Sequence, residues 1–344
     1  MPTIRTLTVF VTTLFAFALC AASVNGTAAH FIDVVALVES SDLIISGRVT
    51  NVVEQGTAAT GMATGSQPNR KLLAVIAPDE TLKGSTETSK LSVEFFMGDR
   101  SYGSRAILPG QYGIFFLLKG ASNYKASDPS FPFLPAVPNG RPFKGPPLDR
   151  VITKLGETLM DKHSSESDIS AALEALSTIQ NKLATETLRT ALETTNGDIQ
   201  VRVASKLIAR NDLDGLDLVE KSLLYPAGRS TYLLETLAGS LGGLKDPRAI
   251  PALKRLLETN DQRIVKGAAI ALRQSGSADA LDPLSHLLNN GDEQVRYYAV
   301  VGLGEITRQD EWTPTFPEFR QHEDKYLSYW RGWTESNLPH QARK

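Results

Sequence analysis

From Asp42 onward apolar and polar positions alternate: Leu43, Ile45, Gly47 and Val49 fall on one side, and Ile44, Ser46, Arg48 and Thr50 on the other. A period of two sends successive side chains to opposite faces of a pleated strand, so this stretch predicts a half-buried β-strand. Just before it, Ile32, Val35, Leu37 and Val38 recur at near-helical spacing within Phe31 to Ser40, and Ser41-Asp42 supplies a stop. Further strands are expected at Lys71 to Ala77, at Leu91 to Phe96 with Leu91, Val93 and Phe95 inward, and at Gln111 to Lys119. In the last of these, Ile114 to Leu118 is apolar on both faces, as a central strand requires. Gln55 to Arg70, rich in Gly, Ala, Thr and Ser, reads as a mobile loop or a long hairpin tip.

Five or so strands with one helix fit a small closed barrel of the OB type, in which closure removes exposed edges, over residues 30–126. Residues 127–147 follow as a linker, where Pro129, Pro132, Pro135, Pro138, Pro142, Pro146 and Pro147 interleave with Phe131, Phe133 and Phe143. Each proline removes a backbone donor and fixes its φ, so regular structure is not expected there. The aromatic residues indicate a semi-rigid strap pressed onto a surface. A short helix over Leu148 to Lys162 comes next, then a polar break at His163 to Ser167.

From Asp168 the period becomes helical and the chain repeats itself. Asp261-Gln-Arg-Ile-Val-Lys-Gly-Ala268-Ala-Ile-Ala-Leu272 aligns without a gap to Asp292-Glu-Gln-Val-Arg-Tyr-Tyr-Ala299-Val-Val-Gly-Leu303 at a period of roughly 31, within the solenoid range. Asn196-Gly197-Asp198 and Asn290-Gly291-Asp292 punctuate the pattern: Gly suits a left-handed cap past one helix, and Asp can cap the next. Second helices recur at Leu216 to Leu224, Ile250 to Leu257 and Leu281 to Leu288. One helix hairpin cannot bury its own apolar face, so at least four units between Asp168 and Thr307 must stack.

The strings Asp246-Pro-Arg-Ala-Ile-Pro-Ala-Leu253-Lys-Arg-Leu-Leu257 and Asp292-Glu-Gln-Val-Arg296-Tyr-Tyr-Ala299 resemble the HEAT-like repeats first described in phycobilisome lyases. The resemblance covers about Asp168 to Thr307 and implies an α-solenoid of HEAT-type helix hairpins used for protein or peptide binding; it does not imply lyase activity. Leu37-Val-Glu-Ser-Ser-Asp-Leu-Ile-Ile-Ser-Gly-Arg-Val49, with Thr81-Leu-Lys-Gly84 and Tyr112-Gly-Ile-Phe-Phe-Leu117, resembles netrin-like modules, the fold shared with tissue inhibitors of metalloproteinases. Those inhibitors chelate the target's zinc through an amino-terminal cysteine, which is lacking here, so that route of inhibition does not carry over. The expected architecture is a small OB-type β-barrel followed by the α-solenoid over 148–307 and an aromatic cap over 308–344.

Ahead of the barrel, Leu7 to Ala22 run almost without polar interruption after a single Arg5, and small residues extend from Ala21 to Ala29. An apolar run too short to cross a bilayer, preceded by positive charge, reads as a signal peptide over 1–29 cleaved after Ser23, Gly26 or Ala29. The expected location is therefore secreted or periplasmic, without membrane insertion of the mature chain. Lipidation at Cys20, the sole cysteine, is disfavoured because Leu19 and Phe17 occupy the places where a lipobox wants a small residue and Leu, and an uncleaved anchor is the stronger alternative to cleavage. Cleavage would leave the mature chain without a thiol, and so without disulfides, thiolate catalysis or cysteine metal ligands. The 344 residues carry a formal net charge of −2, which disfavours a nucleic-acid partner needing a basic face.

Chemistry is sparse. No nucleophile elbow, phosphate loop or dinucleotide fingerprint occurs, so no catalytic residue, metal ligand or cofactor is expected. His322-Glu323-Asp324 offers potential ligands, but consecutive helical residues point in different directions. Lys221, Arg255 and His286 occupy nearly equivalent positions in the second helices and are expected to form a basic row on the concave side for an acidic peptide or carboxylated glycan, or a plain solvated face. Trp330 and Trp333, with Tyr326 on the same helical face, read as an aromatic ligand platform or as a seal on the open end of the solenoid. These observations point to a non-catalytic exported scaffold with a protein or peptide partner. The alternatives are an envelope hydrolase or protease-inhibitor-like protein acting in the cleft between barrel and solenoid, and a structural assembly factor.

Overall fold

The computed structural model describes residues 32–58, 69–97, 107–129, 131–138 and 143–338. The expected signal peptide with Cys20, and residues 59–68 of the expected loop or hairpin tip, lie outside these residues.

Helix α1 (Val34–Ser40) starts where Asp33 accepts a hydrogen bond from the Ala36 amide. It leads into β1 (Leu43–Ala58), β2 (Asn69–Lys83), β3 (Leu91–Met97), β4 (Tyr112–Lys119), β5 (Tyr124–Ala126) and β6 (Leu134–Pro135). The first five close into a barrel in the order β1-β2-β3-β5-β4, with β4 pairing back to β1. Only β3 and β5 run parallel; β6 adds to the edge of β4. Leu43, Ile45, Val49, Ala74, Ile76, Val93, Phe95, Phe115 and Leu117 fill the barrel interior.

The opposite face of β1 was expected to meet water, and its first half does not. Ile44, with Leu82, Ile114 and Phe116, packs against α1 and the first helices after the barrel in one continuous core, so residues 43–47 are buried on both faces. The alternation continues only beyond Gly47, where Arg48 and Thr50 are exposed. The proline-rich strap also contains regular structure after all. Leu134 pairs with Ile114 at the sheet edge, where a proline is tolerated at the next position, and Phe133 stacks on Phe115 with ring centroids 5.6 Å apart.

The helices are α2 (Pro147–Met160), α3 (Glu166–Thr178), α4 (Lys182–Thr194), α5 (Gly197–Ile208), α6 (Leu216–Leu224), α7 (Thr231–Leu241), α8 (Ile250–Leu257), α9 (Gln262–Ser275), α10 (Leu281–Leu287), α11 (Glu293–Thr307), α12 (Phe316–Gln321) and α13 (Glu323–Asn337). Helices α6, α8 and α10 match the expected second helices, each entered through a single 3-10 turn. Ser230, Asp261 and Asp292 cap α7, α9 and α11 with side-chain acceptors. The Asn196-Gly197-Asp198 punctuation works differently: Gly197 is left-handed at φ 59° but opens α5, and the Asp198 carboxylate turns to Arg229.

Helices α5, α7, α9 and α11 form one layer and the shorter α6, α8 and α10 the other. A single apolar core runs between them from Val201 to Trp330, which is the shared seam that stacked hairpins require. Neighbouring long helices approach so closely that a Cβ at Gly267 would collide with the Ala238 carbonyl of α7. The fold is therefore a β-barrel followed by an α-solenoid.

Candidate functional site

Long helices pack flank to flank along their row, whereas the short helices meet one another sparsely. A stack bends toward its tighter layer, so α5, α7, α9 and α11 line the concave side. Their solvent face carries polar and aromatic side chains at helical spacing, and these cross-link one helix to the next. Lys206 of α5 donates to Glu174 of α3 at 2.8 Å, Arg263 of α9 to Glu235 of α7 at 2.8 Å, and Arg273 of α9 to Glu305 of α11 at 2.6 and 2.7 Å. The Glu305 carboxylate in turn holds the Arg273 guanidinium charge in place, raising its pKa, with burial opposing.

Two cations break this pattern of acid-base pairing. Arg202 of α5 donates to the Ser170 hydroxyl of α3 at 3.0 Å, and Lys266 of α9 to the Gln294 amide oxygen of α11 at 3.2 Å. Among the described residues no carboxylate lies within ion-pair distance of either. Arg202 and Lys206 span a gap, for α3 and α5 meet only sparsely while the later long helices abut. The gap is a groove of about 420 Å³ lined by α3, α5 and the start of α7, to which Glu166, Glu174 and Asp198 contribute carboxylates and Arg202 and Lys206 cations, with Ser205, Tyr232 and Thr236 beside them. Tyr232 stands at its rim, 77% exposed.

The residues singled out from sequence lie elsewhere. Lys221, Arg255 and His286 belong to α6, α8 and α10, the sparse outer layer, so they are not on the concave side. Nor are they a free basic row. Arg255 forms a two-pronged pair with the nearly buried Glu220, which raises its pKa, and His286 faces Asp282 at 3.5 Å. Lys221 is exposed. A second cleft, about 480 Å³, opens beside His286 between α8 and α10.

Trp330 is 0% exposed and its indole N–H donates to the Trp312 carbonyl at 3.1 Å, so it seals the end of the apolar core and presents no platform. Trp333 packs edge-on against it with centroids 5.5 Å apart and is partly buried. Glu323 of the His-Glu-Asp string is engaged by Arg296 of α11. Among the described residues no three His, Cys, Asp or Glu side chains are grouped to hold a metal.

The junction between barrel and helices is filled. Lys154 of α2, 3% exposed, meets Glu80 of β2 at 3.0 Å and Glu157 at 3.6 Å, and Arg150 reaches the other Glu80 oxygen at 3.0 Å. Nearby, Tyr112 donates to Asp79 at 2.7 Å, and burial first, then the Asp79 bond, pushes its phenol up to about 12 against the lowering effect of Ser46. Around these groups lie Leu82, Val151, Ile152 and Leu155, all buried.

Sequence reasoning passed over Arg202, Lys266 and Tyr232. A signal for the first was present: Asp198-Ile-Gln-Val-Arg202 repeats Asp292-Glu-Gln-Val-Arg296, which puts an Arg at the same position of two long helices.

Residues 227–304 match the sequence family described as HEAT repeats. That segment, α7 to α11 with its alternating layers and shared core, is therefore similar to HEAT repeats. Two solved structures are similar to the chain. An engineered protein is 18% identical, with 47% of this chain and 81% of that chain covered and a TM-score of 0.32. The complex of CpcE and CpcF of phycocyanin lyase from Nostoc sp. PCC7120 is 21% identical, with 52% and 72% covered and a TM-score of 0.35. No curated protein matches the chain. No helix among the described residues is long and apolar enough to cross a membrane.

Proposed function

We propose that this protein is an exported, non-catalytic scaffold that binds a protein or peptide partner along the concave face of its long helices. One observation carries this reading: the solenoid is closed at both ends by the chain itself. Barrel residues Ile44, Leu82 and Phe116 share a core with α2 to α5, and Phe319, Tyr326 and Trp330 cover the other end. What remains open is the flank, where α5, α7, α9 and α11 present an extended row. Export rests on the apolar run Leu7 to Ala22 with its small-residue sequel. The netrin-like reading of the barrel rests on the Leu37–Val49 and Tyr112–Leu117 strings, and in this proposal the barrel closes one end of the stack and adds a second contact surface.

The test is site-specific photocrosslinking in cells with a benzophenone amino acid in place of Tyr232 on the inner face or Lys221 on the outer. A partner captured from position 232 and not from 221 is expected. Equal capture from both, or none from 232, overturns the reading. Export is read separately, from the mature amino terminus by mass spectrometry; a chain retaining Met1 refutes cleavage.

A further inference from the structure

We infer that Asn196 is a modification site: with Gly197 it closes to a succinimide that opens to aspartate and isoaspartate, while the sister pair Asn290-Gly291 is held back by the fold. The two Asn-Gly-Asp strings are alike in sequence, and the folded chain holds them differently. Glycine favours the reaction because no side chain shields its nitrogen, and both glycines are open, with nothing within 4 Å of where a Cβ would stand. The difference therefore lies in the asparagines. Asn196 is exposed and extended at φ −144° and ψ 173°, and among the described residues its side-chain amide makes no hydrogen bond. Its own main-chain tie is a 3.3 Å bond from the Gln200 amide to its carbonyl. Asn290 is partly buried, and its side-chain oxygen accepts from the Asp292 amide at 2.8 Å. Arg296 fastens the main chain on both sides of the reacting bond, donating to the carbonyls of Asn290 at 2.8 Å and Gly291 at 3.0 Å. Side chain and backbone are thus both pinned where ring closure needs both to move. A third pair, Asn139-Gly140, lies outside the described residues.

The reaction needs no co-reactant but water. The Gly197 nitrogen gives up its proton and attacks the Asn196 side-chain carbonyl carbon; the new carbon–nitrogen bond closes the ring as the bond to the side-chain nitrogen breaks, and that nitrogen leaves as ammonia with the proton. Water then adds to either ring carbonyl. Opening at the former side-chain carbonyl gives aspartate, and opening at the main-chain carbonyl gives isoaspartate. Either product carries a negative charge that Asn196 lacks, close in sequence to Asp198, which with Glu166 and Glu174 already lines the groove between α3, α5 and α7. Isoaspartate also lengthens the main chain by a methylene at the start of α5, the first helix of the inner row. The inference stands whether or not that face binds a partner.

The experiment incubates the full-length chain at mildly alkaline pH in water labelled with heavy oxygen, then follows its peptides by mass spectrometry after digestion at low pH in ordinary water. Uptake of the heavy oxygen separates conversion in the folded chain from conversion during digestion, and electron-transfer fragmentation distinguishes isoaspartate from aspartate. The Asn196 peptide is expected to convert at least about fivefold faster than the Asn290 peptide, as the extra hydrogen bonds that pin Asn290 imply. With the chain unfolded in guanidinium chloride the two should convert at similar rates, because the strings are alike once those bonds are gone. Arg296→Gln, which frees both carbonyls of the Asn290 pair, should speed conversion there and leave Asn196 at its wild-type rate. Equal rates at the two sites in the folded chain, no conversion at Asn196, a difference that persists in the unfolded chain, or an unchanged Asn290 rate in Arg296→Gln overturns the inference. If Arg296→Gln loses its cooperative unfolding transition, the comparison of folded with unfolded wild type decides alone.

Discussion

Glu80→Gln tests the junction between barrel and solenoid. Lys154 is 3% exposed and Glu80 is its close carboxylate, at 3.0 Å; Glu157 stands farther off at 3.6 Å. Removing one partner of a buried pair costs about 3–5 kcal/mol, because the other charge is left in a medium that solvates it poorly. Here Glu157 compensates in part and the Glu80 side chain is 16% exposed, which brings the expected loss to roughly 2–3 kcal/mol. Lys154→Met removes the buried charge instead. Glu80 then keeps Arg150 at 3.0 Å and the methionine refills the space among Val151 and Leu155, so the expected change is within about 1 kcal/mol. Urea unfolding is followed by far-UV circular dichroism and, separately, by tryptophan fluorescence. All three tryptophans, Trp312, Trp330 and Trp333, sit at the opposite end of the stack, and in a solenoid stability passes mainly between neighbours. Glu80→Gln should therefore move the dichroism transition to lower urea while the fluorescence transition stays near its wild-type midpoint. Equal losses in the two variants, or equal shifts in the two signals, would refute the reasoning.

Gly267→Ala forces a methyl against the Ala238 carbonyl where α7 crosses α9, and should destabilise by about 1–3 kcal/mol in the same urea assay. Gly239→Ala, in an exposed helical position with nothing within 4 Å, should stabilise by roughly 0.5–1 kcal/mol; a loss there would show that the inner face is tighter than described. Trp330→Ala empties the seal of the C-terminal core and should cost about 3–5 kcal/mol, read by dichroism. Because folding raises the Tyr112 phenol from 10.0 to about 12, the folded chain holds this proton more tightly than the unfolded chain. The associated stability is complete below about pH 10 and is lost as pH rises toward about 12. The urea midpoint should fall between pH 9 and pH 11 by more in the wild type than in Tyr112→Phe, and an identical fall in both would exclude the effect.

The solenoid was legible because its signal is redundant: the Asp261 and Asp292 segments state the same helix twice, and Ile250 to Leu257 gives the bounds of α8 as observed. Strand β5 was not legible, since three residues cannot express a period. Nor was the double burial of Ile44 and Ser46, which depends on what lands on the outer face of β1 rather than on β1 itself. The basic row failed for a related reason. Equivalent repeat positions were identified correctly for Lys221, Arg255 and His286, but periodicity along a helix does not say which of two layers faces inward; that follows from the packing of α5, α7, α9 and α11.

The same packing explains why the charge of the inner face is so nearly balanced. Long helices in close contact bring residues about one repeat apart within reach of each other, and Arg263 with Glu235 and Arg273 with Glu305 use that reach to tie neighbouring units together. Pairs this exposed contribute little stability each, but they set register and cancel the field that would otherwise attract any polyanion. Among the described residues Arg202, donating to Ser170 where α3 and α5 draw apart, and Lys266, donating to Gln294 where α9 and α11 abut, are the long-helix cations held by a neutral side chain, so pairing on this face does not simply follow how tightly the helices pack.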